Sequence, residues 1–177
     1  MTLLLILLAV LPTIFMIVFI YYKDSYEKEP VGLLVSLFAL GMAGTIPAVA
    51  YETAGDAFIG LFFYKNSGIY NLISAFLGVA LVEEGVKFIA LYFRTWKNPN
   101  YNYKFDGIVY AVLVSLGFAT VENILYVLEG GLSVAIARAL LSVPSHAIDA
   151  VYMGFYYGYA KYYDSVGIVR RRNKNLR

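Results

Sequence analysis

An all-α bundle of about five membrane-crossing helices is the fold this sequence predicts, and three observations predict it. Hydrophobic residues make up 60% of the 177 and charged ones only 15%, with mean hydropathy +0.68. A soluble domain is about 45–50% apolar and about 25% charged. The apolar residues also gather into stretches near the ~20 residues that a helix needs to cross hydrocarbon. Finally, the cations segregate to alternate connections, as they do in inserted bundles. We expect one integral-membrane domain over residues 1–177.

The five stretches run over 3–22, 31–51, 70–93, 107–128 and 132–160. The first lacks a basic leader and its apolar run is too long for a signal peptide's core, so it reads as an uncleaved span. Breaks fall at YYKDSYEKEP, ETAGDAFIGLFFYKNSG, RTWKNPNYNYKFD and EGG. The second break carries an amphipathic piece expected to lie along the interface. Lys23, Lys28, Arg94, Lys97, Lys104, Lys161 and the basic tail (Arg170, Arg171, Arg172, Lys174, Arg177) fall on one side, and Lys65 alone on the other. This asymmetry predicts an outside N-terminus and a cytoplasmic C-terminus. Tyr21, Tyr22, Tyr26, Trp96, Tyr101, Tyr103, Tyr162 and Tyr163 cluster on the same inner side as an interfacial belt, whereas Tyr152, Tyr156 and Tyr159 read as core.

Composition also excludes function classes. There is no cysteine, so disulfides and thiolate metal clusters are absent. No Gly-rich phosphate loop, zinc spacing or internal repeat is present. A short basic run beside an apolar segment is a topology anchor on anionic lipid, so the lipid bilayer is an expected partner and nucleic acid is not.

Removing the connections leaves few ionisable groups at membrane depth: Glu83, Glu84, Lys87, Glu122, Arg138, His146 and Asp149. Each costs at least ~2.5–3.5 kcal/mol to insert. Glu83 and Lys87 lie four apart and Glu84 and Lys87 three apart, so one lysine reaches either carboxylate. The two glutamates diverge by ~100° around the axis, so one is expected to pair with Lys87 while the other faces something else. By helical rise, Glu84 lies ~15 Å, Glu122 ~24 Å and His146 ~22 Å from the inner ends of their spans, which places all three in the middle band and makes a single site feasible. Arg138 is expected to pair with a carboxylate, Asn123 to hydrogen-bond between helices or to assist catalysis, and Gly154 and Gly158 (GFYYG) to pack helices closely, with a second copy of the chain as one partner.

Two carboxylates facing one cavity divide their proton affinities, and such a pair can hold a water, take its proton and later protonate a leaving amine. A histidine or asparagine can donate to the oxyanion. No serine, threonine or cysteine stands beside a base as a nucleophile. No cofactor is expected, with Glu/Glu/His coordination of a metal ion left open. These residues support water-mediated amide hydrolysis within the membrane; the same set would also suit an ion or proton pathway, so both classes stay open at this level.

EEGVK (Glu83, Glu84, Lys87) resembles the EExxK motif of the PrsW family of intramembrane proteases, and FATVEN (Phe118, Glu122, Asn123) its FxxxEN. YYKDSYEKEP, DGIVYAVLVSLGFATVENILY, ARALLSVPSHA and MGFYYGYAK are similar to family segments in the same order. The resemblance implies a bacterial-type glutamic endopeptidase related to the CAAX-processing superfamily. It would act on single-span membrane proteins such as an anti-sigma factor in a stress response. It also implies Glu83 and Glu84 as essential acids, Glu122 as their partner and His146 as a family histidine, with Lys87, Asn123, Arg138 and Asp149 in support. The family's late histidine motif has no match here, so a catalytically incomplete relative is the alternative within the same resemblance.

Overall fold

The computed structural model describes residues 2–24, 27–65 and 67–167, and every regular element among them is helical. The helices are α1 (Thr2–Lys23), α2 (Val31–Ile59), α3 (Gly68–Ile73), α4 (Leu81–Thr95), α5 (Asp106–Ala137) and α6 (Val143–Ser165). Two π-helical stretches, Ser74–Ala80 and Arg138–Ser142, lead into α4 and α6 without a break. Tyr26 and the basic tail lie outside the described residues.

α5 is the axle. Residues 109–120 are buried on every face, as expected of an apolar helix surrounded by others, and α1, α2, α4 and α6 all pack on it. Small residues let the backbones close. A Cβ on Gly117 would stand 2.1 Å from the Phe38 carbonyl oxygen, and one on Gly41 1.9 Å from that of Val114, so α2 and α5 touch main chain to main chain. Gly154 and Gly158 do the same for α6 against the start of α5, with prospective contacts of 2.5 Å to Gly107 O and 2.3 Å to Lys104 O. GFYYG therefore packs within the chain, and both glycines are buried there, so neither faces a second copy.

Two expectations need correction, the end of the second stretch and the burial of two tyrosines. α2 does not stop at residue 51: ETAGDAF continues it to Ile59, so the proposed interfacial piece is mostly more of the same helix. Three helical stretches, Thr2–Lys23, Val31–Ile59 and Asp106–Ser165, are long and apolar enough to cross a membrane. The expected fourth and fifth spans are joined in the last of these across Gly131, whose φ of 69° turns the chain at the EGG break. Residues 70–93 are divided among α3, a π-helical stretch and α4. Tyr152 and Tyr156 are exposed, not core; the α6 face turned inward carries Ala147, Ala150, Gly154, Tyr157 and Gly158.

One end of the bundle collects the residues expected on the inner side. Tyr110 donates to Glu29 Oε2 at 2.6 Å, Arg94 to Ser36 Oγ at 2.9 Å and Asn102 to Glu27 Oε2 at 3.0 Å, and Lys161 bonds the Trp96 carbonyl. At the other end Lys65 pairs with Asp56, which Tyr70 also bonds.

Candidate active site

Both π-helical stretches deliver site residues: Ser74–Ala80 ends just before Glu83 and Glu84, and Arg138–Ser142 begins with Arg138 and ends just before His146. A π-turn widens the helix by a residue, re-aims the side chains that follow, and recurs at functional sites. Glu122 and Asn123 come from α5, one turn beyond Phe118.

Lys87 is the centre. Its side chain is 1% exposed, and its Nζ donates to Glu83 Oε2 at 3.0 Å and to Glu84 Oε1 at 2.8 Å. It stands 3.2 Å from His146 Nδ1 and 4.4 Å from the Phe118 ring centroid. An ammonium has three N–H donors, and three acceptors surround this one. The expectation that only one glutamate pairs with Lys87 is therefore overturned: at i−3 and i−4 both fall within reach of one flexible side chain.

Because the ammonium cannot accept, Nδ1 of His146 must, which leaves the proton on Nε2. Nε2 lies 3.0 Å from Glu122 Oε2. Arg138 Nη2 meets the same oxygen at 3.3 Å, while its Nε donates to Asn123 Oδ1 at 2.6 Å and its guanidinium lies over the Tyr126 ring. Asn123, buried, passes the chain to α1 by donating to the Ala9 carbonyl at 3.4 Å. Ser115 Oγ donates to the His146 carbonyl and anchors the start of α6 on α5. A continuous polar chain therefore runs from Glu84 through Lys87, His146, Glu122 and Arg138 to Asn123.

Seven of the eight expected residues meet in this cluster. Asp149 does not: it is exposed and joins no hydrogen bond or ion pair among the described residues. One residue absent from the expected set, Glu52, belongs nearby. It shares a cavity of about 230 Å³ between α2 and α5 with Glu122, Thr45, Phe118, Tyr126 and Glu129. The sequence pattern ends the second apolar stretch at Tyr51, which leaves Glu52 in a connection. The spacing Thr45, Val49, Glu52, which keeps one helix face, was the signal that could have placed it.

One oxygen donor from each of Glu83 and Glu122 and a nitrogen of His146 all lie within 4.8 Å of one another. Two carboxylates and an imidazole are the donor types of hydrolytic zinc sites, so this trio fits a divalent ion in kind and convergence. Lys87 and Arg138 already supply positive charge to the same atoms.

The chain matches the PrsW family intramembrane metalloprotease over residues 29–175. It belongs to the PrsW family. Curated relatives, each named Protease PrsW, include one from Geobacillus kaustophilus at 41% identity over 155 residues and one from Bacillus subtilis at 36% over 151. Another, from Halalkalibacterium halodurans, is 37% identical over 153 residues. The matches cover 86%, 85% and 86% of this chain and 65%, 66% and 68% of those relatives, so the chain spans about two thirds of their length. No solved structure matches. With PrsW membership and three helical stretches long enough to cross a bilayer, this is a multi-pass membrane protein.

Proposed function

We propose that this PrsW-family protein is an intramembrane endopeptidase that hydrolyses peptide bonds of single-span membrane proteins, anti-sigma-factor-like substrates among them, with a water activated by carboxylates. The observation that carries this reading is the convergence of Glu83, Glu84 and His146 on one buried ammonium, with Glu122 bonded to the same imidazole. Three carboxylates face two fixed cations, Lys87 and Arg138, a surplus that helix packing alone does not need.

Lys87 holds one oxygen of each motif glutamate and leaves the other oxygen of each without a partner among the described residues. Glu83, whose side chain is 13% exposed, is the better shielded of the two and stands nearer Glu122 and His146. In this reading Glu83 takes a proton from water as the water oxygen bonds to the scissile carbonyl carbon. The same carboxyl returns that proton to the leaving nitrogen as the C–N bond breaks, while Glu84, more open, exchanges protons with solvent between turnovers. His146, fixed as the Nε2–H form, and the cations Lys87 and Arg138 take up charge on the oxyanion. Glu122 orients His146 and Arg138 through one oxygen, and its other oxygen is unpartnered among the described residues. The cavity between α2 and α5 that Glu122 lines is the place for substrate main chain.

A divalent ion, if bound, would be held by Glu83, Glu122 and His146 and would supply Lewis-acid polarisation of the scissile carbonyl and acidify a bound water. Extensive chelation before assay separates the two readings: undiminished turnover supports the carboxylate route, and loss restored by one added metal supports the ion.

Topologically we propose five crossings, with residues 70–93 as the third and the Gly131 turn separating the last two. The clustering of Lys28, Arg94, Lys104 and Lys161 at one end supports an inside C-terminus. Cysteines placed at Lys65 and Lys97 should label from opposite sides of a vesicle; labelling from one side would refute it.

The decisive experiment is purified protein in proteoliposomes with a library of single-span peptides. Cleavage by the wild type, and none by correctly inserted Glu83→Gln or Glu84→Gln, is expected. Wild-type rates in both variants would overturn the reading.

A further inference from the structure

The cavity of about 230 Å³ between α2 and α5 has a charge pattern that the hydrolytic chemistry does not use. Three carboxylates line it and, among the described residues, no cation does. Glu122 already answers His146 and Arg138. Glu129 follows seven residues further along α5, ~10 Å by helical rise, and is exposed. Glu52, on the α2 side, is partly buried and has no hydrogen bond or ion pair among the described residues. Glu83 and Glu122 repel it, and Lys87, the cation that attracts it, is already committed to Glu83 and Glu84.

A carboxylate within a helix long and apolar enough to cross a membrane is costly unless something meets it. Among the described residues nothing does, so the counterpart has to come with whatever enters the cavity. A metal ion is not that counterpart. The donors that converge closely enough for one are those of Glu83, Glu122 and His146, and Glu52 is not among them. One carboxylate on its own serves one ammonium or guanidinium. The rest of the lining has the matching shape, because Val49, Phe118 and Tyr126 give apolar and aromatic walls beside the acid. Lysine and arginine carry a charged head on an aliphatic stem, which such walls sheathe while the carboxylate takes the head. Proteases that cut after basic residues select them in the same way, with an acid inside an otherwise apolar slot.

We propose that Glu52 is a specificity-determining residue: it receives a lysine or arginine side chain of the substrate and so selects single-span proteins with a basic residue close to the cut bond. This rests on the hydrolytic reading of the neighbouring cluster. Basic residues are rare within spanning segments, so one such contact discriminates strongly among membrane proteins.

The test uses the full chain in proteoliposomes and single-span peptides that carry lysine, glutamine or glutamate at successive positions. Binding is read on the Glu84→Gln protein, which keeps the cavity and is expected not to cut, and kcat/KM on protein with Glu84 intact. At one position lysine should surpass glutamate roughly tenfold or more in both measurements, since like charges brought together are strongly penalised. Glu52→Gln should bring that ratio close to one, and Glu52→Lys should invert it in favour of glutamate. Where Glu52→Lys fails to insert, the Glu52→Gln ratio decides. Lysine-selective binding with no cleavage of any peptide would fail the hydrolytic reading and keep the cavity's preference. Equal binding of the three peptides at every position would overturn the proposal. So would a lysine preference that Glu52→Gln keeps in full, since another acid would then be reading the substrate.

Discussion

Two groups of carboxylates in this molecule are kept in opposite ways. At the inner end, Glu29 is answered by the Tyr110 hydroxyl and Asp106 by the backbone N–H groups of Asn102 and Tyr103, neutral donors throughout. At mid-bundle, Glu83, Glu84 and Glu122 are each within 3.3 Å of a lysine or arginine nitrogen. Glu29 and Asp106 are buried at their end of the bundle and are met by dipoles alone, with protonation an available escape. At mid-bundle each carboxylate meets a full countercharge, at the cost of desolvating two groups instead of one. The mid-bundle cluster therefore answers charge with charge, and the other group answers it with dipoles.

The largest test of this contrast is catalytic. Glu83→Gln or Glu84→Gln removes a charge the cluster was built to keep, and turnover of a single-span substrate should fall ~10²–10⁴-fold, the usual worth of a positioned acid or base. The fall should appear in kcat, measured on protein shown by labelling to be inserted. An equivalent loss from Glu29→Gln would erase the distinction between the two groups.

Next in size is Lys87→Met. It leaves two motif glutamates without their shared donor, and breaking a buried pair from one side costs ~3–5 kcal/mol. The variant should unfold far more readily in detergent than the wild type. Lys87→Met with both glutamates changed to glutamine should recover much of the loss, because no unpaired charge remains. Failure of the triple variant to recover would mean that Lys87 acts by packing against Phe118 instead.

A smaller effect is expected at Glu52. It lines the cavity beside Glu122 yet has neither hydrogen bond nor ion pair among the described residues. It thus combines the depth of the mid-bundle group with the missing countercharge of the inner one. Glu52→Gln should change KM several-fold more than kcat if the cavity receives substrate, and kinetics on two substrates differing by one lysine would show it. Equal changes in kcat and KM would place Glu52 in the chemistry.

Much of this was legible in the sequence, for reasons that individual residues show. Charges inside apolar stretches are rare enough that Glu83, Glu84, Lys87, Glu122, Arg138, His146 and Asp149 stand out without any structure, and helical rise places Glu84, Glu122 and His146 in one band. Boundaries were harder. Glu52 and Asp56 looked like the end of a span because they are acidic, but α2 continues through them, with Asp56 answered by Lys65 and Tyr70 at the far end. Side-chain direction was not legible either. Asp149 sits three residues on from His146, about 60° round the α6 axis from it, enough to leave its side chain exposed. Similarly, Tyr152 and Tyr156 share the apolar pattern of α6 with Tyr157, and only the glycine-lined crossing decides which faces inward.

The smallest expected effect concerns the inner group alone. Burial pushes the Glu29 carboxyl up from 4.5 to about 7, with Asp106, Asp24 and Glu27 adding repulsion and the Tyr110 hydrogen bond pulling the other way. Asp24 is raised as well, by burial first, against the pull of Lys28. Below pH 4.5 Glu29 is protonated whether the chain is folded or not, and its share of stability is complete. Between 4.5 and about 7 the folded protein keeps a proton that the unfolded chain has released, so stability falls as pH rises through this window and levels off above it. Glu29→Gln keeps an acceptor for the Tyr110 hydroxyl but cannot ionise. Melting curves in detergent from pH 4.5 to 8 should therefore show a shallower decline for the variant, leaving it the more stable at pH 8. Taking the difference between the two proteins removes the contributions of Asp24, Glu27 and Asp106. Parallel curves would mean that folding does not raise the proton affinity of Glu29, and the contrast between this end of the bundle and its middle would fall with them.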